Sequence, residues 1–432
     1  MSLIIAVPIA SSNEVNKHYK VKVLFTNPEC NNYVYPATTY QRGNPGKIVI
    51  GPLKNSYCTQ LDAGLNLKGR HIEELKYLLS RRTAGDVNIL YFRFSSKEIT
   101  DLLCDSLSNG PEAKVHIFLD VSGYLDESKR LQECLFNAKR SVKITKIGGL
   151  YDPKTGRFDN VTGNFHTKLI SFPISDGAAY IFGGGNPTKG ISINHDNWVF
   201  IRTEINSNFS LKHRCFIQAL NDFGDDYLIG YNKNCKNINY DDNLKVTTYI
   251  LPAEIVEAKR EFDYLFNNST QIDMISQGFN NSWIKGLINK AIVRGVKVNI
   301  IADDDLFWVG NYSIRPQGAT YMNRLEEWKN FAQKIYNYQL IFKYIQTSHF
   351  VDGNIQHNKF IIFKLKSGGV VVYTGSANFT QAAFSVNTEQ VYLIKENLVT
   401  LDYVNQFSKL WAHMSLYENE LPDQDLEPTI SH

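Results

Sequence analysis

Two distant parts of the chain share one alternation of helix-like and strand-like patterns. Residues 95–110 carry apolar side chains at helical spacing after a serine suited to cap a helix, and the apolar run 114–120 ends in an aspartate. Residues 281–303 repeat this order, with an amphipathic helix that stops near a glycine and an apolar strand that ends in an aspartate. The alternation predicts that each half of the chain forms an α/β domain around a largely buried sheet.

A repeat of polar groups lies downstream of each helix and strand. Residues 165–200 and 355–394 each begin with a histidine and a lysine two positions apart, in the sequences FHTKL and QHNKF. Each segment then has an asparagine after three small residues, and an acidic residue beyond it. Because the motifs recur at nearly the same offset as the helix–strand units, the repeat covers whole domains. The corresponding groups are His166 and His357, Lys168 and Lys359, Asn186 and Asn378, and Asp196 and Glu389.

The repeat predicts two similar domains joined by a short connection. The first domain is expected over residues 1–231 and the second over residues 245–432. Residues 232–244, NKNCKNINYDDNL, are polar, rich in asparagine and without a period, which is typical of a linker or a surface loop.

The composition is that of a globular protein with nearly balanced charge. The 46 basic and 43 acidic side chains give a net charge of +3, so no general attraction for polyanions is expected, although a local basic cleft is compatible with it. The six cysteines are scattered without a C-x-x-C pair, which indicates neither a zinc site nor a dense disulfide framework and leaves single disulfides open. The short apolar start of the chain lacks a preceding basic residue and cannot span a bilayer. We expect a soluble protein without a transmembrane segment, either cytoplasmic or exported without a recognisable signal peptide.

The repeated residue types suit the chemistry of a phosphate ester. Residues two apart in a strand point to the same face, so the histidine and lysine of each motif project together. Lysine supplies positive charge, asparagine is a neutral hydrogen-bond donor, and histidine can attack or transfer a proton near neutral pH. Two such sets would serve the attacked side and the departing side of one tetrahedral phosphorus, and this chemistry needs neither a metal nor another cofactor.

These motifs resemble those of the phospholipase D superfamily, whose signature is a pair of H-x-K-x4-D sequences, each followed by a G-S/G-x-N element. The resemblance covers both halves of the chain, through HNKF and TGSANFT in the second and FHTKL and GGGN in the first. It implies a bilobal fold of two α/β/α sandwich domains with mixed sheets, related by a pseudo-twofold axis. The two motifs would meet at the domain interface and form one active site, so a monomer would be sufficient for activity.

The resemblance also implies a role for each group. His166 would form a covalent phosphohistidine while His357 protonates the leaving group and then activates water or an alcohol, although the sequence leaves the reverse assignment open. The carboxylates Glu389 and Asp196 are expected to orient the histidines. The groups expected to hold the non-bridging phosphate oxygens are Lys168, Lys359, Asn186 and Asn378.

The chain departs from the signature at its aspartate. The position five residues after each lysine holds Pro173 in the first motif and Lys364 in the second. In the first half the pair Asp176–Gly177 comes three residues later, whereas in the second half no aspartate precedes the asparagine. Because the extra residues lie where two strands would join, we expect a longer hairpin loop in each half.

Several other polar and aromatic groups have simpler interpretations. His195 is as typical of a satisfied structural histidine as of a group behind the site, and His349 suits the end of a strand. The three aspartates at 303–305 are expected to be solvated at a strand end, not to bind a metal. The aromatic segment 306–312 would either line the substrate cleft or pack against the domain.

The sequence leaves three functions open, which differ in the ligand and in whether it is turned over. Hydrolysis or transfer of phospholipid head groups is favoured by the near-neutral charge and the aromatic segment 306–312, and it would bring the protein into peripheral contact with a membrane. A metal-independent nuclease is the alternative, because the second motif also resembles the small nuclease and cardiolipin-hydrolase branch, but it would need a basic track for the nucleic acid. A degenerate member that binds phosphate-containing ligands without turnover is the third, because the motif aspartates are missing.

Overall fold

A computed structural model describes most of the chain and places its two halves around two large sheets. Two small sheets accompany them, one formed by residues 40–42, 47–50 and 429–431, the other by residues 151–152 and 157–158. The described residues are 20–27, 40–42, 47–50, 70–123, 126–148, 151–152, 157–158, 163–188, 194–238, 244–303, 339–345, 356–417 and 429–431.

The first large sheet is mixed and has seven strands. They are β1 (Val21–Thr26), β2 (Gly85–Tyr91), β3 (Ala113–Asp120), β4 (Ser141–Ile147), β5 (Lys168–Ile174), β6 (Gly177–Gly183) and β7 (Asp196–Thr203). Their order in the sheet is β1-β7-β6-β5-β2-β3-β4. Strands β2, β3 and β4 pair in parallel, and the other neighbouring pairs are antiparallel.

The second large sheet has eight strands and repeats the first. They are β8 (Val246–Leu251), β9 (Ser269–Ser276), β10 (Lys297–Asp303), β11 (Leu340–Ile345), β12 (Lys359–Leu365), β13 (Val370–Gly375), β14 (Glu389–Ile394) and β15 (Ser415–Leu416). Their order is β8-β14-β13-β12-β9-β10-β11-β15. Apart from the edge strand β15, the order and the strand directions match those of the first sheet. The repeat seen in the sequence is therefore a repeat of whole sheets.

Helices flank both sheets, and the two helices predicted from the repeat begin at side-chain caps. The hydroxyl of Ser96 accepts a hydrogen bond from the backbone N–H of Ile99, and the amide oxygen of Asn281 accepts one from Ile284. The described helices are α1 (Arg70–Ser80), α2 (Lys97–Asn109), α3 (Asp126–Asn137), α4 (Asn208–Phe223), α5 (Tyr227–Asn234), α6 (Ile255–Asn268), α7 (Ser282–Val293) and α8 (Asn397–Lys409).

Both faces of each sheet are covered by apolar layers. Helices α1 to α3 pack on the outer face of the first sheet, and α6 and α7 on the outer face of the second. The inner faces share one core with α4, α5 and α8, in which the ring of Phe182 from β6 stacks on Tyr392 from β14 with centroids 3.6 Å apart. This common core fixes the two sheets relative to each other, and the predicted fold class of two similar α/β/α domains with mixed sheets is confirmed.

The hairpin between β5 and β6 differs from the prediction. Its loop contains only Ser175 and Asp176, so the additional residues lengthen the two strands and not the loop. Pro173 belongs to β5 and lies opposite Ala178 of β6, where the strand pairing does not need a backbone N–H from it. The carbonyl of Pro173 accepts a hydrogen bond from the backbone N–H of Thr83. The corresponding loop in the second half spans residues 366–369.

The connection between the halves is also more ordered at its start than a linker. Residues 232–234 form the last turn of α5, and Cys235 is buried and forms a disulfide with Cys215. A second disulfide joins Cys104 to Cys134. The sequence left such disulfide pairs open. The assignment of domain boundaries at 231 and 245 remains a prediction.

None of the helices in the described part of the chain is long and apolar enough to cross a membrane.

Candidate active site

Both H-x-K motifs lie at the same end of their sheets and contact the other half of the chain. Lys168, the first residue of β5, pairs with the last residue of β2, and Lys359, the first residue of β12, pairs with the last residue of β9. The backbone N–H of His166 donates to the carbonyl of Thr388 (2.9 Å), and that of His357 donates to His195 (2.8 Å). Each motif is thus anchored at its histidine by backbone from the opposite half.

His166 is oriented by a carboxylate from the second half. Its Nδ1 lies 2.9 Å from Oε2 of Glu389, which is fully buried and also accepts hydrogen bonds from Ser376 and Asn387. Burial alone would raise the pKa of Glu389, but the nearby His166, Lys168 and Ser376 outweigh it, and the pKa lies below its ordinary value. An ionised Glu389 holds the proton of His166 on Nδ1, so Nε2 keeps its electron pair and accepts a hydrogen bond from Nζ of Lys168 (3.1 Å).

His357 is oriented by a carboxylate from the first half, in a different electrostatic setting. Its Nδ1 lies 3.3 Å from Oδ2 of Asp196. Burial raises the pKa of Asp196 to about 7, and Lys359 only partly offsets this effect. Burial, together with Lys359 and Lys168, lowers the pKa of His357 well below its usual value. The carboxyl group of Asp196 is therefore a weaker acid than that of Glu389 beside His166.

The two lysines are buried and similarly held. The ammonium group of Lys168 donates to the carbonyl of His166 (2.9 Å), and that of Lys359 donates to the carbonyl of His357 (2.8 Å). Burial lowers the pKa of Lys168 to about 7 and that of Lys359 to about 8. Because an ammonium group has three donors, each lysine retains protons for an anionic ligand.

The two motif asparagines lie on the segments that follow β6 and β13. The amide oxygen of Asn186 accepts a hydrogen bond from the backbone N–H of Arg93 (3.3 Å), which leaves its amide nitrogen as a donor. Gly185 explains part of the glycine run before it, because a Cβ at this position would lie only 1.9 Å from Oδ2 of Asp196. The small residues therefore let this segment approach the carboxylate closely.

Two further aspartates position the motifs. The sequence had shown Asp120 only as a strand end, and the expectation that Asp303 is solvated was wrong, because its side chain is buried. Oδ2 of Asp120, at the end of β3, accepts the backbone N–H of Phe165 (2.8 Å). Oδ2 of Asp303, at the end of β10, accepts the backbone N–H of Gln356 (2.6 Å). Each carboxylate thus fixes the residue directly before a motif histidine. Their recurrence at corresponding positions of the repeat was the available signal for this role.

The remaining candidates lie outside this cluster or outside the described residues. His195 is buried, and its Nδ1 lies 3.4 Å from Oδ1 of Asn27, so its ring supports the packing behind the site while its carbonyl anchors His357. Asp176 lies at the opposite end of the β5–β6 hairpin and pairs with Arg202. Lys364 pairs with a carboxylate on β9 at 3.2 Å. Of the candidates named from the sequence, His349 and residues 304–312 lie outside the residues that the structure describes.

The described residues contain no group of three or more histidine, cysteine, aspartate or glutamate side chains arranged to hold a metal ion. The chemistry available in this cluster is therefore that of two histidines, two carboxylates, two ammonium groups and two amides. Such a set can hold one phosphate group and supply a nucleophile and a proton donor on opposite sides of it.

Comparisons with known proteins agree with this architecture. Residues 263–411 match a family model described as cardiolipin synthase, PLD-like domain, and a search of curated protein sequences gives no significant match. The fold is similar to that of phosphatidylserine synthase from Haemophilus influenzae, with a TM-score of 0.60 and 14% identity over 85% of this chain and 94% of that chain. Polyphosphate kinase from Porphyromonas gingivalis gives a TM-score of 0.51 and 11% identity over 81% of this chain and 46% of that one. At these identities the structural similarity concerns the fold alone.

Proposed function

Because residues 263–411 match a PLD-like domain and the first half repeats its architecture, we propose that the chain is a phosphodiesterase of the phospholipase D superfamily that works through a covalent phosphohistidine. The observation that carries the proposal is the exchange of carboxylates between the halves: Glu389 holds His166, and Asp196 holds His357. Each motif histidine is thus paired with a carboxylate from the other half. One composite site is therefore expected for each chain.

In this proposal His166 is the nucleophile. Its Nδ1–H donates to the ionised Glu389, which leaves the electron pair on Nε2, where the Lys168 ammonium group donates to it at 3.1 Å. This pair attacks phosphorus once the ammonium group donates to a phosphate oxygen instead. Burial also lowers the pKa of His166 itself, which keeps the imidazole neutral at physiological pH. The Nε2–P bond forms as the bond from phosphorus to the leaving-group oxygen breaks.

His357 is the proton donor in the same step. Burial raises the pKa of the neighbouring Asp196 carboxyl group to about 7, so a proton is available within the His357–Asp196 pair near neutral pH. An anionic phosphate bound beside the imidazole would raise the pKa of His357 and draw a proton onto it. His357 then gives this proton to the departing alkoxide, which leaves as an alcohol.

The second step uses the same groups in reverse. His357 takes a proton from water or from an acceptor alcohol, whose oxygen attacks phosphorus while the Nε2–P bond breaks. Water gives hydrolysis, and an alcohol gives phosphatidyl transfer. The ammonium and amide groups that would hold the non-bridging oxygens in both steps are Lys168, Lys359, Asn186 and Asn378.

Phospholipid head groups are the substrate class that the observations support best. The net charge of +3 provides little of the general attraction for polyanions on which nucleic-acid binding depends. The family model that matches residues 263–411 is named for cardiolipin synthase, which supports a lipid phosphodiester in preference to a nucleic acid.

The test is to incubate the purified protein with mixed phospholipids and, separately, with single-stranded and double-stranded nucleic acids. Released head groups and cut strands are measured for the native protein and for His166→Ala. We expect release of head groups that His166→Ala lowers by three orders of magnitude or more, because the covalent route is lost. His413→Ala is the matched control, since His413 is exposed and lies on the turn after α8, away from the motifs.

The outcomes separate the candidate functions. Strand cleavage without head-group release would assign the protein to the nuclease branch. Binding of phospholipid without release of any product would identify a degenerate phosphate-binding member. Equal activity of His166→Ala and the native protein would refute the proposed mechanism.

A further inference from the structure

The two halves of the site differ at one pair of corresponding positions. Tyr91 at the end of β2 pairs with Lys168, and Ser276 at the end of β9 pairs with Lys359, so these two positions correspond in the repeat. Two residues further on, the first half has Arg93 and the second half has Gly278. At this pair of positions the site thus carries an arginine in the first half and a glycine in the second.

Arg93 is joined to the catalytic groups at two points. Its backbone N–H donates to the amide oxygen of Asn186 at 3.3 Å. Its guanidinium carbon lies 5.5 Å from the ring centre of Phe92, and that ring packs edge-on against His166 with centroids 5.1 Å apart. The guanidinium therefore lies no further from the His166 ring than the sum of these two distances.

The guanidinium group of Arg93 is exposed and has no carboxylate partner among the described residues. Its described contact is the face of Phe92, which limits the positions of the side chain without neutralising its charge. Some arginines of this protein do pair with carboxylates: Arg130 contacts two, and Arg202 contacts Asp176. An unneutralised guanidinium held beside a phosphate site is suited to bind a second anionic group of the ligand.

We infer that Phe92 and Arg93 form a subsite for a second negative charge on the substrate, so that phospholipids with an anionic head group are preferred over those without one. This inference rests on the proposed function and specifies its substrate class. At the corresponding position of the second half, Gly278 has no side chain to carry a charge.

The experiment uses two short-chain lipids that differ by one phosphate group, dihexanoyl phosphatidylinositol and dihexanoyl phosphatidylinositol 4-phosphate. Both are kept monomeric, so that the charge of a lipid surface does not contribute. For the native protein we expect kcat/KM to be roughly tenfold higher for the phosphorylated lipid, which is the effect of one charge-assisted contact. Arg93→Gln should reduce this ratio to near one, mainly through KM, and Arg93→Lys should restore part of it.

Lys297→Gln is the matched control, because it also removes one exposed cation, but at the opposite end of the second sheet. It should retain the native ratio. An Arg93→Gln ratio equal to the native ratio would overturn the subsite while leaving the phosphodiesterase proposal intact. If Arg93→Gln lowered kcat/KM for 5′-phosphorylated dinucleotides and for neither lipid, the lipid form of the inference would be overturned.

A binding measurement separates this inference from the proposed function. Glycerophosphoinositol and glycerophosphoinositol 4-phosphate are titrated into the native protein and into Arg93→Gln. If neither lipid is hydrolysed, the proposed function fails, but a roughly tenfold tighter binding of the phosphorylated compound that Arg93→Gln removes would still support the subsite. Equal affinities in both proteins would overturn it.

Discussion

Replacing Glu389 by glutamine removes the charge that holds His166 while it nearly preserves the size of the side chain. The carboxylate lies 2.9 Å from Nδ1 of His166, is fully buried, and accepts hydrogen bonds from Ser376 and Asn387. A glutamine cannot satisfy all three donors, because one of its terminal groups is itself a donor. The imidazole loses its fixed orientation and its preference for a proton on Nδ1.

The expected loss of rate follows from the charge on the hydrogen bond between Glu389 and His166. A hydrogen bond to a charged group contributes about 1.5–3 kcal/mol, and each 1.36 kcal/mol is a tenfold change in rate, so loss of this contact alone lowers kcat roughly 10- to 150-fold. An imidazole that carries its proton on Nε2 cannot attack through that atom, which adds to this loss. We expect kcat to decrease about 100-fold or more with little change in KM. Ser376→Ala keeps the carboxylate and removes only one of its donors, so its effect should remain within about tenfold.

The assay follows the first turnover of bis(p-nitrophenyl) phosphate by rapid mixing. Glu389→Gln should remove the burst of p-nitrophenol, because formation of the covalent intermediate is slowed. Asp196→Asn should retain the burst, since p-nitrophenolate leaves without a proton, and should slow the later turnovers and the release of alkyl head groups. A Glu389→Gln burst within about threefold of the native rate would refute the orienting role, and the opposite pattern for the two variants would exchange the roles of the histidines.

Further predictions concern pH, the anchoring aspartates and metals. The pKa values of Lys168 and Lys359 are lowered to about 7 and about 8, so their positive charges are present below these values and are lost as the pH rises through them. We expect kcat/KM to fall above about pH 8, while kcat stays level to higher pH because a bound anion raises both pKa values; a flat kcat/KM profile to pH 10 would contradict this. Asp303→Ala leaves the buried N–H of Gln356 without its 2.6 Å acceptor, and it should lower the stability by about 1–3 kcal/mol in a urea titration and also lower kcat, whereas Asp303→Asn, which keeps an acceptor oxygen, should be milder. Dialysis against a chelator should leave the rate unchanged, and an activity restored only by added metal would contradict a reaction that relies on histidine, lysine and asparagine.

The repeated pattern was sufficient to predict the two sheets and the position of both H-x-K motifs at corresponding strand ends. The helix caps at Ser96 and Asn281 and the strands that follow them lie where the periodicity and the cap residues indicated. The histidines and lysines share a strand end because residues two apart face the same side. These features depend on short-range geometry, which a single sequence contains.

The contacts between the halves could not be read from the sequence. Which carboxylate faces which histidine depends on the packing of two sheets through a common core, including the stack of Phe182 on Tyr392. The length of the β5–β6 hairpin was wrong in the prediction because Pro173 and Asp176 are typical of loops, whereas Pro173 lies within a strand and only Asp176 is in the turn. Proline can occupy such a position wherever its missing N–H is not needed.

Isolation of the covalent intermediate tests the central claim most directly. His357→Ala is mixed with bis(p-nitrophenyl) phosphate, quenched in alkaline denaturant to preserve phosphohistidine, and digested for mass spectrometry. We expect a p-nitrophenyl phosphate adduct on His166, and no adduct in the variant His166→Ala. An active protein that yields no histidine adduct, or one that carries the adduct at another residue, would contradict the composite site in which Glu389 prepares His166 for attack on phosphorus.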